Sequence, residues 1–211
     1  MTDFSVPTLP ITLGITGASG LIYAIRTIKF LLAAEYTIEI VASRAAYHVA
    51  QAEQNLKIPA EAIRQEKFWR ELAGVKNRGK LRCHPWQDIG ANIASGSYRT
   101  LGMVVIPCSM GTVAKLAAGL SSDLLERAAD VQLKEGGKLI LVPRETPFSL
   151  IHLRNLTTLA EAGARIVPAI PAWYHHPQTI EDLVDFVVAR ALDQLGINCV
   201  PIKRWKANEQ F

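Results

Sequence analysis

Glycines at positions 14, 17 and 20 punctuate a short aliphatic run, and the stretch Thr16-Gly17-Ala18-Ser19-Gly20 opens directly onto an amphipathic segment. Backbone N–H groups that converge at the start of a helix, beside the positive end of its dipole, favour a phosphate. The spacing G-x-x-G-x-x-G is neither the dinucleotide fingerprint nor the P-loop, so the turn alone suits tight strand-to-helix packing as well as an anion. The end of the second strand separates the nucleotides. A fold that grips an adenosine ribose presents Asp or Glu there, about 20 residues past the glycines; this chain presents Ser43. Serine fits a mononucleotide phosphate or a ribityl chain, which puts FMN ahead of NAD. Glu39, inside the same strand, is the residue whose placement would reverse that reading.

A second turn of the same kind, Pro107-Cys108-Ser109-Met110-Gly111-Thr112, ends a later apolar run and opens another helix. Ligands of open α/β sheets lie beyond the carboxyl ends of the strands, so two such turns flank one crevice. Cys108 invites a nucleophilic reading, yet no histidine stands at a recognisable partner spacing, and a small buried thiol is the commoner case. Packing is expected of Cys108, and cofactor contact of Ser109 and the N–H groups around it. Arg127, Asp130 and Lys134, at i, i+3 and i+7, read on their own as a surface ion-pair ladder. Arg190, near the end of the last helix, suits that helix's dipole. Tyr174-His175-His176 lacks a spaced third ligand, so no metal is expected. Trp205, in a tail unable to stabilise itself, reads as an anchor against a neighbouring subunit.

The elements that position these residues are legible as alternating short β-branched runs and longer amphipathic stretches, the pattern of βαβ units. Strands are expected over 11–16, 37–42, 101–107, 138–142 and 164–169, each a nearly continuous apolar run and so covered on both faces. Helices are expected over 20–34, 44–54, 112–118, 123–135, 150–161 and 179–195, with Gly119, Gly136, Gly163 and Gly196 where C-terminal caps belong. Residues 61–72 read as a polar surface helix and 88–97 as a Gly/Ser/Asn-containing loop of the kind that carries function. The fold class is a three-layer, Rossmann- or flavodoxin-like α/β sheet in one domain spanning 1–211, with an irregular tail from about 197.

Composition bounds the rest. The chain has 211 residues, 49% hydrophobic and 20% charged, with 23 Lys and Arg against 19 Asp and Glu, enough apolar matter for a sizeable core under a mildly basic surface. No basic stripe interleaved with aromatics argues for nucleic acid. Three scattered cysteines exclude a disulfide framework and fit a reducing cytoplasm. No apolar run approaches the roughly 18 residues that span a bilayer, and the first ten residues carry no export pattern.

Taken together, Thr16-Gly17-Ala18-Ser19-Gly20, Ala94-Ser95-Gly96-Ser97, Pro107-Cys108-Ser109, Glu126-Arg127-Ala128-Ala129-Asp130, Leu133-Lys134-Glu135, Val142-Pro143-Arg144-Glu145-Thr146-Pro147 and Trp173-Tyr174-His175 resemble the UbiX-like flavin prenyltransferases, in order and spacing, from residue 11 to residue 205. The resemblance implies transfer of a dimethylallyl group from dimethylallyl monophosphate to reduced FMN. The prenylated FMN then serves a UbiD-like decarboxylase. It further implies that Gly17, Ala18, Ser19, Ser43, Cys108, Ser109, Met110, Gly111 and Arg144 contact FMN, and that Tyr174 and Arg190 bind the dimethylallyl ester. Glu53, Lys134 and Glu145 belong to the active-site shell, the Ser95-Gly96 loop lies beside flavin and donor phosphate, and Trp205 closes the pocket. Family members form dodecamers of trimers with sites at subunit interfaces. Met110 stands where relatives often carry a smaller or polar residue, which bears on the fit near the isoalloxazine.

Such a reaction breaks an allylic C–O bond, so the site must steady a leaving phosphate and a cationic fragment together. Arg190, Lys134, Arg144 and the Tyr174 hydroxyl supply donors to phosphate oxygens, and the face of Trp205 suits the cation by about 1–2 kcal/mol in a dry pocket. Glu145 is the expected acid or proton relay for the leaving phosphate, and Glu53 the helper in ring closure. Two competitors remain. An FMN-dependent cysteine-type decarboxylase would use a histidine after the first helix, for which His48 is in the right region, but its asparagine motif is missing from the 107–109 turn. A non-catalytic flavin-binding module would have no use for a second phosphate site.

Overall fold

The structure, a computed structural model, describes residues 9–202. Six strands form one parallel sheet: β1 (Ile11–Ile15), β2 (Thr37–Ala42), β3 (Lys80–His84), β4 (Gly102–Cys108), β5 (Leu139–Pro143) and β6 (Arg165–Ile166). Their spatial order is β3-β2-β1-β4-β5-β6. Helices α1 (Leu21–Ala33), α3 (Ala62–Ala73) and α7 (Ile180–Asp193) pack together on one face, and α4 (Met110–Ala117), α5 (Leu124–Lys134) and α6 (Leu150–Glu161) on the other. Helix α2 (Arg44–Gln54) follows β2 directly.

Alternation along each strand divides the core into two layers. In β4, Val104 and Ile106 join the layer under α1 and α7, whereas Met103, Val105 and Cys108 join the layer under α5. Cys108 changes side because the pairing register with β5 shifts between Val105 and Cys108, and a bulge turns the following side chains over. Chain direction across the sheet reverses between β1 and β4, the topological switch point where a crevice must open. Both glycine- and serine-containing turns leave the sheet there.

Strand β3 escaped the sequence reading. Its Lys80-Leu81-Arg82-Cys83-His84 alternates exposed and buried positions, the signature of an edge strand covered on one face, whereas the expectation was for continuous apolar runs. The helix expected to be a polar surface element instead buries Trp69, Gln65 and Ala73 against α1 and β3. Helix α4 begins two residues earlier than expected, at Met110, because the Ser109 hydroxyl accepts from Thr112 N. β6 shrinks to two residues, although Val167 and Ala169 still donate to Leu141 and Pro143. The 88–97 loop holds one 3₁₀ turn, Asn92–Ala94, which sinks Ile93 into the core. Among the described residues, no helix is long and apolar enough to cross a membrane.

Candidate functional site

Thr16 clasps the two turns at the switch point. Its hydroxyl donates to the Pro107 carbonyl at 2.7 Å and accepts from Ser109 N at 2.8 Å, and its own N–H reaches Pro107 O at 3.3 Å. A third strand end is drawn in by Ser43 N, which donates to Ile15 O at 2.8 Å. Arg144, just past β5, completes the junction: its N–H donates to Cys108 O at 3.2 Å and its Nε to Ser19 O at 2.9 Å. Four strand ends therefore converge on one place. The sequence pointed to the turns but gave Thr16 no role; a buried threonine at a strand's end was the available signal.

Local chemistry explains why an anion fits. Helices α2 and α4 are capped by the hydroxyls of Ser43 and Ser109, but α1 starts at Gly20, at φ 107°, without a side-chain cap. Its leading N–H groups lack the usual internal acceptors, apart from Tyr23 N, which donates to Gly20 O at 3.0 Å, and Gly20 N, which lies 3.4 Å from Glu53 Oε2. Gly17 must be glycine for another reason. A Cβ there would come within 2.5 Å of the Ala45 Cβ, so the turn lies hard against the first turn of α2. Ser43, Ala45, His48, Ser109, Gly111 and Thr112 line a cleft of about 430 Å³ at this junction.

At its far wall, Lys115 Nζ meets Glu126 Oε1 at 2.6 Å; this hydrogen bond raises the lysine pKa. Burial raises Asp123 nearby. Burial likewise raises Tyr23, against the opposing charge of Arg144. Cys108 is fully buried and burial pushes its thiol up to about 12, so at neutral pH it is not a thiolate and its side chain packs. Iodoacetamide at pH 8 is therefore expected to leave Cys108 unlabelled in the native protein, read by peptide mass spectrometry; labelling at the rate of a free cysteine would restore the nucleophile. Met110 points into the same core layer as Cys108 and Val113 and does not line the cleft, so its thioether is not presented there.

Glu39, which could have reversed the choice of FMN over NAD, lies mid-strand and fully buried. It accepts from Arg82 Nη1 at 2.9 Å, His84 Nε2 at 2.7 Å and the Tyr98 hydroxyl at 2.7 Å. It is committed to β3 and to the 95–98 loop rather than to a ribose.

A second recess lies beyond the end of β5. Arg144, Glu145, Phe148, Pro168 and Ile170 line about 380 Å³, and Pro168 and Ile170 also wall a cleft of about 340 Å³ holding Phe186 and Arg190. Arg144 thus belongs both to the β1 turn and to the outer recess.

A family model described as Flavoprotein matches residues 5–192. The flavin prenyltransferase UbiX of Synechocystis sp. is 73% identical over 197 residues, which are 93% of this chain and 96% of that protein. The chain belongs to the UbiX-like flavin prenyltransferases. Two solved structures share the family architecture. The crystal structure of AnUbiX (PadA1) in complex with FMN and dimethylallyl pyrophosphate superposes with a TM-score of 0.82 at 36% identity, over 96% of this chain and all of that one. A dodecameric FMN-dependent UbiX-like decarboxylase from Escherichia coli O157:H7 gives 0.81 at 39%, over 94% of this chain and all of that one.

Within one protomer of this UbiX-like chain the expected site residues fall into three groups. Gly17, Ala18, Ser19, Ser43, Cys108, Ser109, Met110, Gly111, Glu53 and Arg144 gather at the switch point. Glu145 lines the recess beside Arg144, Arg190 lines the adjoining cleft that shares Pro168 and Ile170 with it, and Tyr174 stands beside that cleft's Phe186, ring edge-on at 5.8 Å. Ser95, Gly96 and Lys134 form a separate group around Glu135: a Cβ on Gly96 would strike the Glu135 carboxylate, and Lys134 Nζ binds Glu135 Oε1 at 2.6 Å. That ion pair replaces the Arg127–Asp130–Lys134 ladder; Arg127 Nε is instead buried without a hydrogen-bond partner among the described residues. Arg190 pairs with Asp193 at 3.0 Å in the last turn of α7. His48 does line the inner cleft, but the asparagine motif of a cysteine-type decarboxylase is absent. Trp205 lies outside the described residues.

Proposed function

We propose that the protein transfers the dimethylallyl group of dimethylallyl monophosphate to reduced FMN, and that the prenylated FMN passes to a UbiD-like decarboxylase. The observation that carries this reading is Arg144, bonded to the Ser19 turn while lining the recess of Glu145: an inner anion cradle and an outer donor recess share one guanidinium. The inner residues fit FMN, because the Gly17 backbone approaches α2 more closely than any Cβ allows and α1 leaves its first turn uncapped. There Gly17, Ala18, Ser19, Ser43, the 108–111 turn and Arg144 hold the flavin nucleotide. The reduced flavin supplies a nucleophilic nitrogen.

The chain's own side chains do the rest. Arg190 and Tyr174 bind the donor phosphate, and their charge and hydrogen bonds strengthen as negative charge builds on the departing oxygen. Glu145 delivers a proton to that oxygen, and Glu53 accepts one at the inner end. Lys134, Ser95 and Gly96 stand apart from Arg190 within a protomer, so they serve a neighbouring copy's recess. Exposed apolar side chains support such an assembly: α6 buries only Leu159 while Leu150, Ile151 and Leu153 face outward, and Ile170 and Trp173 are 65% and 69% exposed beside the recess. A face of this kind is covered in a stable oligomer, here a dodecamer built of trimers, working in the cytoplasm without nucleic acid, membrane or metal.

Incubation of the protein with reduced FMN and dimethylallyl monophosphate, or with the diphosphate in a parallel arm, is expected to add one prenyl unit to the flavin mass. Flavin of unchanged mass in both arms would overturn the reading.

A further inference from the structure

A fully buried carboxylate in the middle of a parallel strand is costly unless every lone pair finds a donor. Glu39 finds three, and their origin is informative. Arg82 and His84 come from the edge strand β3, two residues apart and so on one face; β2–β3 pairing sets Glu39 opposite Arg82. The third donor is the Tyr98 hydroxyl, from a loop 59 residues further along the chain. Burial pushes the Glu39 pKa up, but the hydrogen bonds from His84, Tyr98 and Arg82 outweigh it and hold it below the usual carboxylate value, so the acceptor is an ion and the bonds to it are strong.

The loop needs such an anchor. It carries Ser95 and Gly96 between Ile93, which is buried, and Tyr98, which is tied to Glu39. Between those two points the bonds among the described residues are local: Ser95 N to Asn92 O at 3.0 Å, Tyr98 N to Ser95 O at 3.1 Å, Ser97 N to Ser95 Oγ at 3.4 Å, and the Ser95 and Ser97 hydroxyls 2.8 Å apart. We infer that Glu39 is a positioning residue: through Tyr98 it holds the Ser95-Gly96 segment in the conformation that meets the phosphate of the donor ester. The inference rests on the transferase reading above. It gives the acidic residue of β2 a task other than ribose binding, and it couples donor affinity to a carboxylate that touches neither flavin nor donor.

Tyr98→Phe tests it, because it deletes one hydroxyl and leaves Glu39 with two donors, so the sheet edge survives. Loss of a hydrogen bond to a charged group weakens an interaction by about tenfold or more, and tenfold corresponds to about 1.4 kcal/mol. The KM for dimethylallyl monophosphate is therefore expected to rise about tenfold, with kcat within about twofold and FMN affinity unchanged. Amide hydrogen exchange at Ser95, Ser97 and Tyr98 in the protein without donor is expected to quicken by about the same factor, while β1 and α1 keep their protection. Glu39→Gln, whose amide N–H₂ faces three donors, is expected to exceed both effects. An unchanged KM, an unchanged exchange rate in the loop, or losses in kcat and FMN affinity equal to the loss in KM would each overturn the inference. If the unmodified protein transfers no prenyl group, the transferase reading fails by itself, and the exchange measurement alone then decides whether Glu39 anchors the loop.

Discussion

Gly17→Ala is expected to weaken FMN binding by about 100-fold, measured by quenching of flavin fluorescence on titration. The added Cβ would lie 2.5 Å from the Ala45 Cβ and 3.0 Å from the Ala45 carbonyl carbon. Contacts that short are relieved by moving backbone, and overpacking of this kind costs about 1–3 kcal/mol. What moves decides the effect. The 16–20 turn is fixed at one end by the Thr16 clasp to Pro107 and Ser109 and at the other by the Arg144 bond to Ser19, so α2 or the cradle itself must give way. Either shift pulls the Ser43 end of β2 from the α1 N-terminus, and hydrogen bonds to a phosphate do not survive displacement by an ångström. A 100-fold loss corresponds to about 2.7 kcal/mol, within the overpacking range. Ala45→Gly in the same chain removes the nearest atom but leaves the 3.0 Å contact, so the double variant is expected to recover part of the loss; the two changes touch and should not be additive. Affinity equal to the unsubstituted protein in Gly17→Ala would show that the β1 turn does not hold the flavin nucleotide.

The features of the fold that were plain in the sequence are those whose burial is two-sided. Strands β1, β2, β4 and β5 are dominated by apolar residues, Glu39 of β2 being the one charged exception, because helices cover both faces, and a nearly continuous Val, Ile and Leu run announces that directly. Strand β3 hides in plain view, since an edge position alternates Lys80 and Arg82 with Leu81 and Cys83 and resembles any polar segment. Trp69 is lost in the same way: α3 carries enough charge to look like a surface helix, and only its packing against α1 and β3 explains the burial. For the site, glycine and serine spacing located the turns at residues 17–20 and 107–112, because a turn's backbone demands are local. Thr16, Glu39 and Tyr98 act across 91, 45 and 59 residues of chain, and no periodicity records a pairing that distant. The separation of Lys134, Ser95 and Gly96 from Arg190 was equally illegible, because motif order does not say whether two motifs meet in one protomer or across two.

That separation bears on the second large effect. Glu145→Gln is expected to lower kcat for prenyl transfer by about 100- to 1000-fold, within the usual range for a positioned acid, while FMN affinity changes by less than about twofold. The side chain lines the outer recess with Arg144 and Pro168, and its Oε1 accepts from Thr146 N at 3.1 Å. Glutamine is isosteric and its carbonyl oxygen keeps that bond, so orientation is preserved and only the transferable proton is lost. The inner cradle, built from Thr16, Ser43, Ser109 and the backbone of Arg144, contains no Glu145 contact, which is why binding and turnover should part company. In a protomer alone the carboxylate is exposed to water, and an acid bathed in water has little advantage over the solvent. In the proposed assembly its catalytic worth depends on the neighbouring copy covering the recess. Dilution or substitution on the Leu150–Ile151 face that dissociates the assembly should then reduce the kcat of the unsubstituted protein toward that of Glu145→Gln, and should leave Glu145→Gln itself nearly unaffected. If Glu145→Gln turns over at the original rate in the intact assembly, the proton reaches the leaving phosphate from another group and Glu145 has no part in the chemistry.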